Sequence, residues 1–264
     1  MRKAVLLTCI VFFAFSLNAI AQDLMQEADG FWEQRGDNFN TTTLLADSTN
    51  INKAISMYKK YLSAATGAQK EEATWKLIRA YYFKGQYTTK DSELRKKIYD
   101  LGKDLGTQAL IEFPESAGIN LFLAIVWGVW GEEYGIMQAA KNGVAGKIKL
   151  YCESAAAVDS TFDEAGAYRV LGRVYFKAPK IWPILRWPSK ETAVQILEKA
   201  HTLAPQNLIT KQFLAEALYS QNKSARAISL MKEILAATET AEGIAEDADT
   251  KNEAKALLAE WEKK

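Results

Sequence analysis

Arg169 and Arg173 stand four residues apart, so a helix places both on one face. Two guanidinium groups so placed can clamp a carboxylate or phosphate through paired hydrogen bonds. That chemistry suits an acidic solute or an acidic side chain of a partner. The alternative is ion pairing with neighbouring helices, including the Asp159 or Asp163 region. A second group is aromatic. Trp127, Trp130 and Tyr134 recur at helical spacing, as packed core or as the wall of a cavity. A third is the stretch from Ile181 to Pro188, which holds Trp182, Trp187, two prolines and Arg186. Aromatic and arginine content in a stiff loop is the composition of an interface hot spot. A loop folded back into the fold has the same composition.

The residues needed for catalysis are scarce. The chain has one histidine, His201, and a Ser-His-Asp triad or a multi-histidine metal site would have to use it. Its place just before Pro205 suits the negative end of a helix. Glu132 and Glu133 are adjacent, so on a helix they point about 100° apart and do not converge. There is no glycine-rich phosphate loop, HExxH or CxxC. The expectation is a binding protein, with no enzyme activity, cofactor or metal.

The elements that must position these residues are helices in pairs. Ala193, Leu197, Ala200 and Pro205 fall four, three and five residues apart, the pattern of the second helix of a tetratricopeptide (TPR) unit. Small residues admit a close helix neighbour, Leu197 fills the gap, and proline cannot continue the helix. Tyr168, Leu171, Gly172 and Tyr175 take the first-helix positions of the same unit. From Gly172 to Ala193 is 21 residues, against 12 from Ala215 to Ala227. The excess lies within 177–190, and Ser189 and Glu191 then read as cap and first turn of the next helix. Further units carry Leu77 and Tyr81 with Gly85 as terminator, then Leu123, Ala124 and Trp127, then Leu214, Ala215 and Ala227. A polar stretch, 86–96, interrupts the first of them. Gly128, Gly131, Gly135, Gly143 and Gly146 crowd one region beside large aromatics. Glycine costs about 1 kcal/mol in a helix interior, so the cluster implies close contact, a break or a bound ligand. Thr250 to Glu253 reads as a capping box opening a last, solvating helix. The fold class expected is all-α, a TPR-like α-solenoid of antiparallel helix pairs over 52–264, behind an N-terminal segment, 22–51, with a short helix and a loop.

Composition adds bounds. Arg2 and Lys3, the apolar run from Ala4 to Leu17 and the small residues ending at Ala21 read as a cleaved signal peptide, 1–21. Export to the periplasm as a soluble chain is expected. Cys9 lies too early in the apolar run for lipid anchoring. Without the leader, basic residues fall from 33 to 31 against 32 acidic, and no basic stripe suggests nucleic acid. Cys152 is then the one thiol left, so no intramolecular disulfide can form, and burial is its expected state.

The chain resembles the periplasmic T component associated with tripartite ATP-independent periplasmic (TRAP) transporters. The resemblance rests on Ala117 to Trp130, on Val158 to Phe162, on Gly166 to Tyr175, and on Lys177-Ala178-Pro179 with the proline-containing loop that follows. It implies an all-α TPR protein that pairs with a solute-binding protein and oligomerises around a ligand-passing cavity. Taken with the residues above, it suggests a small apolar or acidic solute held between a concave face and the partner. A scaffold for envelope assembly, binding proteins and no solute, is the competing expectation.

Overall fold

A computed structural model describes residues 23–181, 185–238 and 243–263. The leader and Trp182 lie outside the described residues. A helix over 23–33 (α1) is followed by α2 (Ser48–Leu62), α3 (Gly67–Tyr87), α4 (Ser92–Glu112), α5 (Ala117–Tyr134) and α6 (Ile136–Lys141). Then come α7 (Val144–Val158), α8 (Phe162–Lys177), α9 (Lys190–Leu203), α10 (Leu208–Tyr219), α11 (Ser224–Ala236) and α12 (Ile244–Trp261). Among the described residues the β pairing is limited to two isolated bridges, Asn40 with Leu45 and Ile181 with Leu185. No described helix is long and apolar enough to cross a membrane.

Short polar residues start these helices. Asp47, Asp91, Ser116, Ser189 and Asn207 each accept a hydrogen bond from a backbone N–H of the first turn. Each such cap contributes about 1 kcal/mol. The helices then stack in two layers. Helices α3, α5, α8, α10 and α12 pack on one another in succession. Helices α4, α7, α9 and α11 each wedge between two members of that row from outside. This is the nearest-neighbour architecture of an α-solenoid.

The wedges fit because small residues stand at the crossings. A Cβ on Gly172 would lie 2.4 Å from Leu197 Cγ, so α8 and α9 touch there with no room for a side chain. Ala193, Leu197 and Ala200 are fully buried on the facing stripe. Gly85 has the same role in an earlier unit. It lies inside α3, which runs on to Tyr87, and a Cβ there would meet the Tyr99 ring of α4 at 2.3 Å. The expected helix terminator is therefore a helix contact. The polar stretch 86–96 is mostly helix as well, since only 88–91 separates α3 from α4.

The last helix also departs from expectation. α12 begins at Ile244, and Thr250 is buried inside it, donating from Oγ1 to the Glu246 carbonyl. A capping-box pattern inside a helix has no free N–H groups to cap. One side of α12 continues the solenoid, with Trp261 stacked on Tyr219 at 4.1 Å. Its beginning meets the other end of the chain. Ala245 is fully buried in one core cluster with Ala28, Trp32 and Tyr87. A Cβ on Gly36 would lie 3.2 Å from Ile244 Cβ. Arg35 Nε donates to Glu246 Oε1 at 2.9 Å, and both side chains are only 9% exposed. The inner row of helices thus closes on α1 after one turn and encloses a space.

Candidate functional site

That space is a cavity of about 1110 Å³ lined by α1 and the inner row, together with α6, the start of α7 and the loop between α8 and α9. Trp32 comes from α1, Arg79 and Tyr82 from α3, Phe122, Ile125 and Val129 from α5. Arg169, Val170, Arg173 and Val174 come from α8, Ile209, Gln212 and Phe213 from α10, and Glu246, Asp249 and Glu253 from α12. Ile181, Leu185 and Trp187 of the long loop complete the wall. A cavity of this size, apolar over part of its wall and lined elsewhere by charged groups of both signs, has the build of a ligand site.

All five clustered glycines line it. Gly131 is a close contact, since a Cβ there would lie 3.1 Å from Val144 Cγ1. Gly135 and Gly143 take φ of +85° and +63° and break the chain on either side of α6, a region glycine enters without steric cost. Around Gly128 and Gly146 there is room. A Cβ on Gly128 would have one near neighbour, Ile148 Cδ1 at 3.8 Å, and a Cβ on Gly146 would have none within 4 Å. These two widen the space and do not serve helix contact.

The structure places the sequence-selected residues unequally. Trp127, Trp130 and Tyr134 are not among the lining residues. They form a ladder on another side of α5, with centroids 5.2 and 4.3 Å apart. Asp100 of α4 accepts from Trp130 Nε1 at 2.9 Å, from the Tyr134 hydroxyl at 2.7 Å and from Lys103 Nζ at 2.8 Å. Hydrogen bonding to Asp100, with burial second, pushes the Tyr134 phenol up to about 12. Burial opposes ionisation of Asp100, but the bonds from Lys103, Tyr134 and Trp130 together hold its carboxyl below the ordinary value. Lys147 Nζ lies 3.9 Å above the Trp127 ring. The ladder ties α4, α5 and α7 together.

Arg169 and Arg173 do share the cavity wall, and each is engaged by a carboxylate of the fold. Arg169 is 5% exposed. It donates to Asp163 Oδ2 at 2.9 Å and to the Asp163 and Glu164 carbonyls at 3.3 Å. Asp163, Glu164 and Ala165 have φ of 50°, 53° and 59°, a left-handed stretch that costs about 1–2 kcal/mol per residue. Arg169 bridges two of its carbonyls and so holds that turn. Arg173 donates to Glu216 Oε1 at 2.8 Å and stacks on Phe213 at 4.1 Å. In the long loop, Ile181 and Leu185 exchange backbone bonds at 2.8 and 2.6 Å. Trp187 packs edge-on against Tyr175 at 4.6 Å, and Arg186 is exposed. His201, at the end of α9, has its pKa lowered by burial and then by Lys211. Cys152 is fully buried, and burial pushes its thiol far above the ordinary range. Among the described residues no cluster of His, Cys, Asp or Glu is placed to hold a metal ion.

Sequence reasoning passed over Arg79. Its guanidinium lies 3.8 Å from the Trp32 ring and 4.9 Å from the Trp75 ring. Local spacing marks only Trp75, four residues earlier on α3, while the Trp32 ring comes from α1 and the cavity neighbours from α5 and α8.

The sequence model of the family described as regulator of microtubule dynamics protein 1-3 matches residues 39–262. The chain belongs to that family. Regulator of microtubule dynamics protein 3 of rat (Rattus norvegicus) and of mouse (Mus musculus) are each 27% identical to it over 150 residues. That stretch is 56% of this chain and 30% of each relative, so the chain matches under a third of the relatives' length. A crystal structure of a thermophilic TPR protein from Thermus thermophilus superposes with a TM-score of 0.58 at 14% identity. It covers 91% of this chain and 98% of that one. The family match takes in the whole tract that resembles the transporter T component, and its name refers to no transporter. The solved neighbour supports the TPR-like fold.

Proposed function

We propose that the chain is a non-catalytic TPR scaffold whose inner helices hold a ligand or partner segment in the cavity. The carrying observation is the apolar side of that wall: Phe122, Ile125, Val129, Val174, Leu185 and Trp187 face one space. A purely solvated groove has no need of such a surface, whereas contiguous apolar area open to solvent marks an interaction site. The fold class supports a protein partner, and the family's named role does the same.

The finer readings rest on sequence alone. The leader supports action after export, in the periplasm. The resemblance supports a solute-binding protein of a TRAP-type transporter as partner, with a small apolar or acidic solute between the two, in a homo-oligomer. The relatives' role in microtubule dynamics is stated of proteins of which this chain matches 30%.

Photo-crosslinking in the native host tests the scaffold reading. Benzoylphenylalanine placed at Val129 or Leu185, in the cavity wall, is expected to give discrete adducts that the same probe at exposed Leu150 does not. Equal labelling at all three sites, or none in the cavity, refutes it. Sequencing the mature N-terminus tests export, with Gln22 as the expected first residue.

A further inference from the structure

The arginines of the cavity wall differ in one respect. Arg35 is paired with Glu246, Arg169 with Asp163 and Arg173 with Glu216. Arg79 makes no ion pair with a carboxylate among the described residues. Its Nε is buried with no hydrogen-bond partner. What holds it is a stack of rings, Trp32 at 3.8 Å, Trp75 at 4.9 Å and Phe122 at 5.9 Å, together with the Tyr58 hydroxyl. That hydroxyl is itself donated to Asp29 Oδ1 at 2.7 Å. Asp163 acts on Arg79 through space and Arg35 repels it. Burial is the largest influence on the guanidinium and pushes its pKa below the ordinary range.

A half-buried cation with no carboxylate in contact, and Asp163 acting on it only through space, is costly to the fold. Arg79 keeps that position at the edge of a large cavity, beside Phe122 and Ile125 of α5. We propose that Arg79 is the anchor for a ligand carrying one carboxylate on an apolar body. The carboxylate accepts from the Arg79 guanidinium, and the body lies along Phe122, Ile125 and Val129 towards Leu185 of the loop. Ring stacking fixes the guanidinium plane before the ligand arrives, so little side-chain freedom is lost on binding. The inference rests on the cavity being a ligand space. It assigns the acidic contact to Arg79 and leaves Arg169 and Arg173 as residues that hold the wall.

Titration of the purified chain with decanoate, decanol and decyl phosphate, followed by calorimetry, tests this. Decanoate is expected to bind about tenfold or more tighter than decanol, the worth of one charge-assisted hydrogen bond. Arg79→Gln should erase that preference while leaving decanol affinity within about twofold, and Arg173→Gln should keep it. Should Arg79→Gln fail to fold, the wild-type chain still decides: the Arg79 Nε–H resonance is expected to shift with decanoate and not with decanol. Equal affinity for decanoate and decanol, an unmoved resonance, or a preference that survives Arg79→Gln overturns the anchor. Tighter binding of decyl phosphate than of decanoate overturns the carboxylate in favour of a phosphoryl group. In each of these failures the crosslinking result stands separately, so loss of the anchor does not count against the scaffold.

Discussion

Replacing Gly172 by alanine puts the helix-pair contact to a quantitative test. The new methyl would lie 2.4, 2.8 and 3.3 Å from Leu197 Cγ, Cδ2 and Cδ1. Leu197 is fully buried, and the overlap falls on its branch carbon, so turning one terminal methyl aside does not relieve it. Over-packing of this kind costs about 1–3 kcal/mol, and the geometry argues for the upper end. Alanine returns about 1 kcal/mol of helix propensity. The net expectation is a loss of about 2 kcal/mol, or about 4–8 °C in Tm for a chain of this size. Gly128→Ala supplies the control. It sits in mid-helix, and its Cβ would meet only Ile148 Cδ1 at 3.8 Å. There the propensity term acts alone, so a gain of about 1 kcal/mol and a rise of about 2–4 °C are expected. Thermal and guanidinium melts followed by helical circular dichroism read both. If Gly172→Ala stabilises, or the two variants move together, α8 and α9 are not in contact where described and the packing argument fails.

Other consequences are as direct. Glu246→Ala removes one side of the buried Arg35–Glu246 pair and should cost about 3–5 kcal/mol in a denaturant melt; a loss under about 1 kcal/mol would mean the α1–α12 seam adds little to the fold. Asp100→Asn should bring the Tyr134 phenol down from about 12 towards its ordinary value, read by ultraviolet titration at alkaline pH. His201 binds protons less readily in the folded chain than unfolded. Stability should therefore fall as pH drops below about 6.5, and the share of that fall due to His201 should vanish in His201→Gln. Asp249 is pushed upward by burial and by Glu253, so its ionised form burdens the fold and Asp249→Asn should raise Tm at pH 7.

Legibility in the sequence followed the range of the contact. The Gly172 and Ala193–Leu197–Ala200 spacing was readable because each crossing of paired helices needs small residues at fixed local steps. Ser189 as a cap was readable for the same reason. Gly85 was ambiguous, since glycine marks both helix ends and tight crossings, and only Tyr99 of the next helix decides which. Thr250 failed because a capping box is defined by free N–H groups, which a residue pattern does not reveal. The aromatic triplet was legible as a helix face, but which neighbour that face meets depends on Asp100 of another helix. Arg35 and Glu246 are 211 residues apart, and no local rule joins them. Each reading open for the glycine cluster applies to part of it: contact at Gly131, a break at Gly135 and Gly143, open space at Gly128 and Gly146. The cation at the cavity edge was silent, because Arg79 owes its state to rings and charges from several other helices.

The Arg35–Glu246 seam has a consequence for how such a protein can vary over time. An open stack of repeats can gain or lose one by duplication or deletion, because each copy needs only its immediate neighbours. Here α1 must meet α12 after one circuit. An added pair would push the two apart, and a missing pair would leave a gap across which Arg35 and Glu246 could not reach. The number of units is therefore fixed by geometry, and change is channelled into loops such as 178–188, which lengthen without altering the circumference.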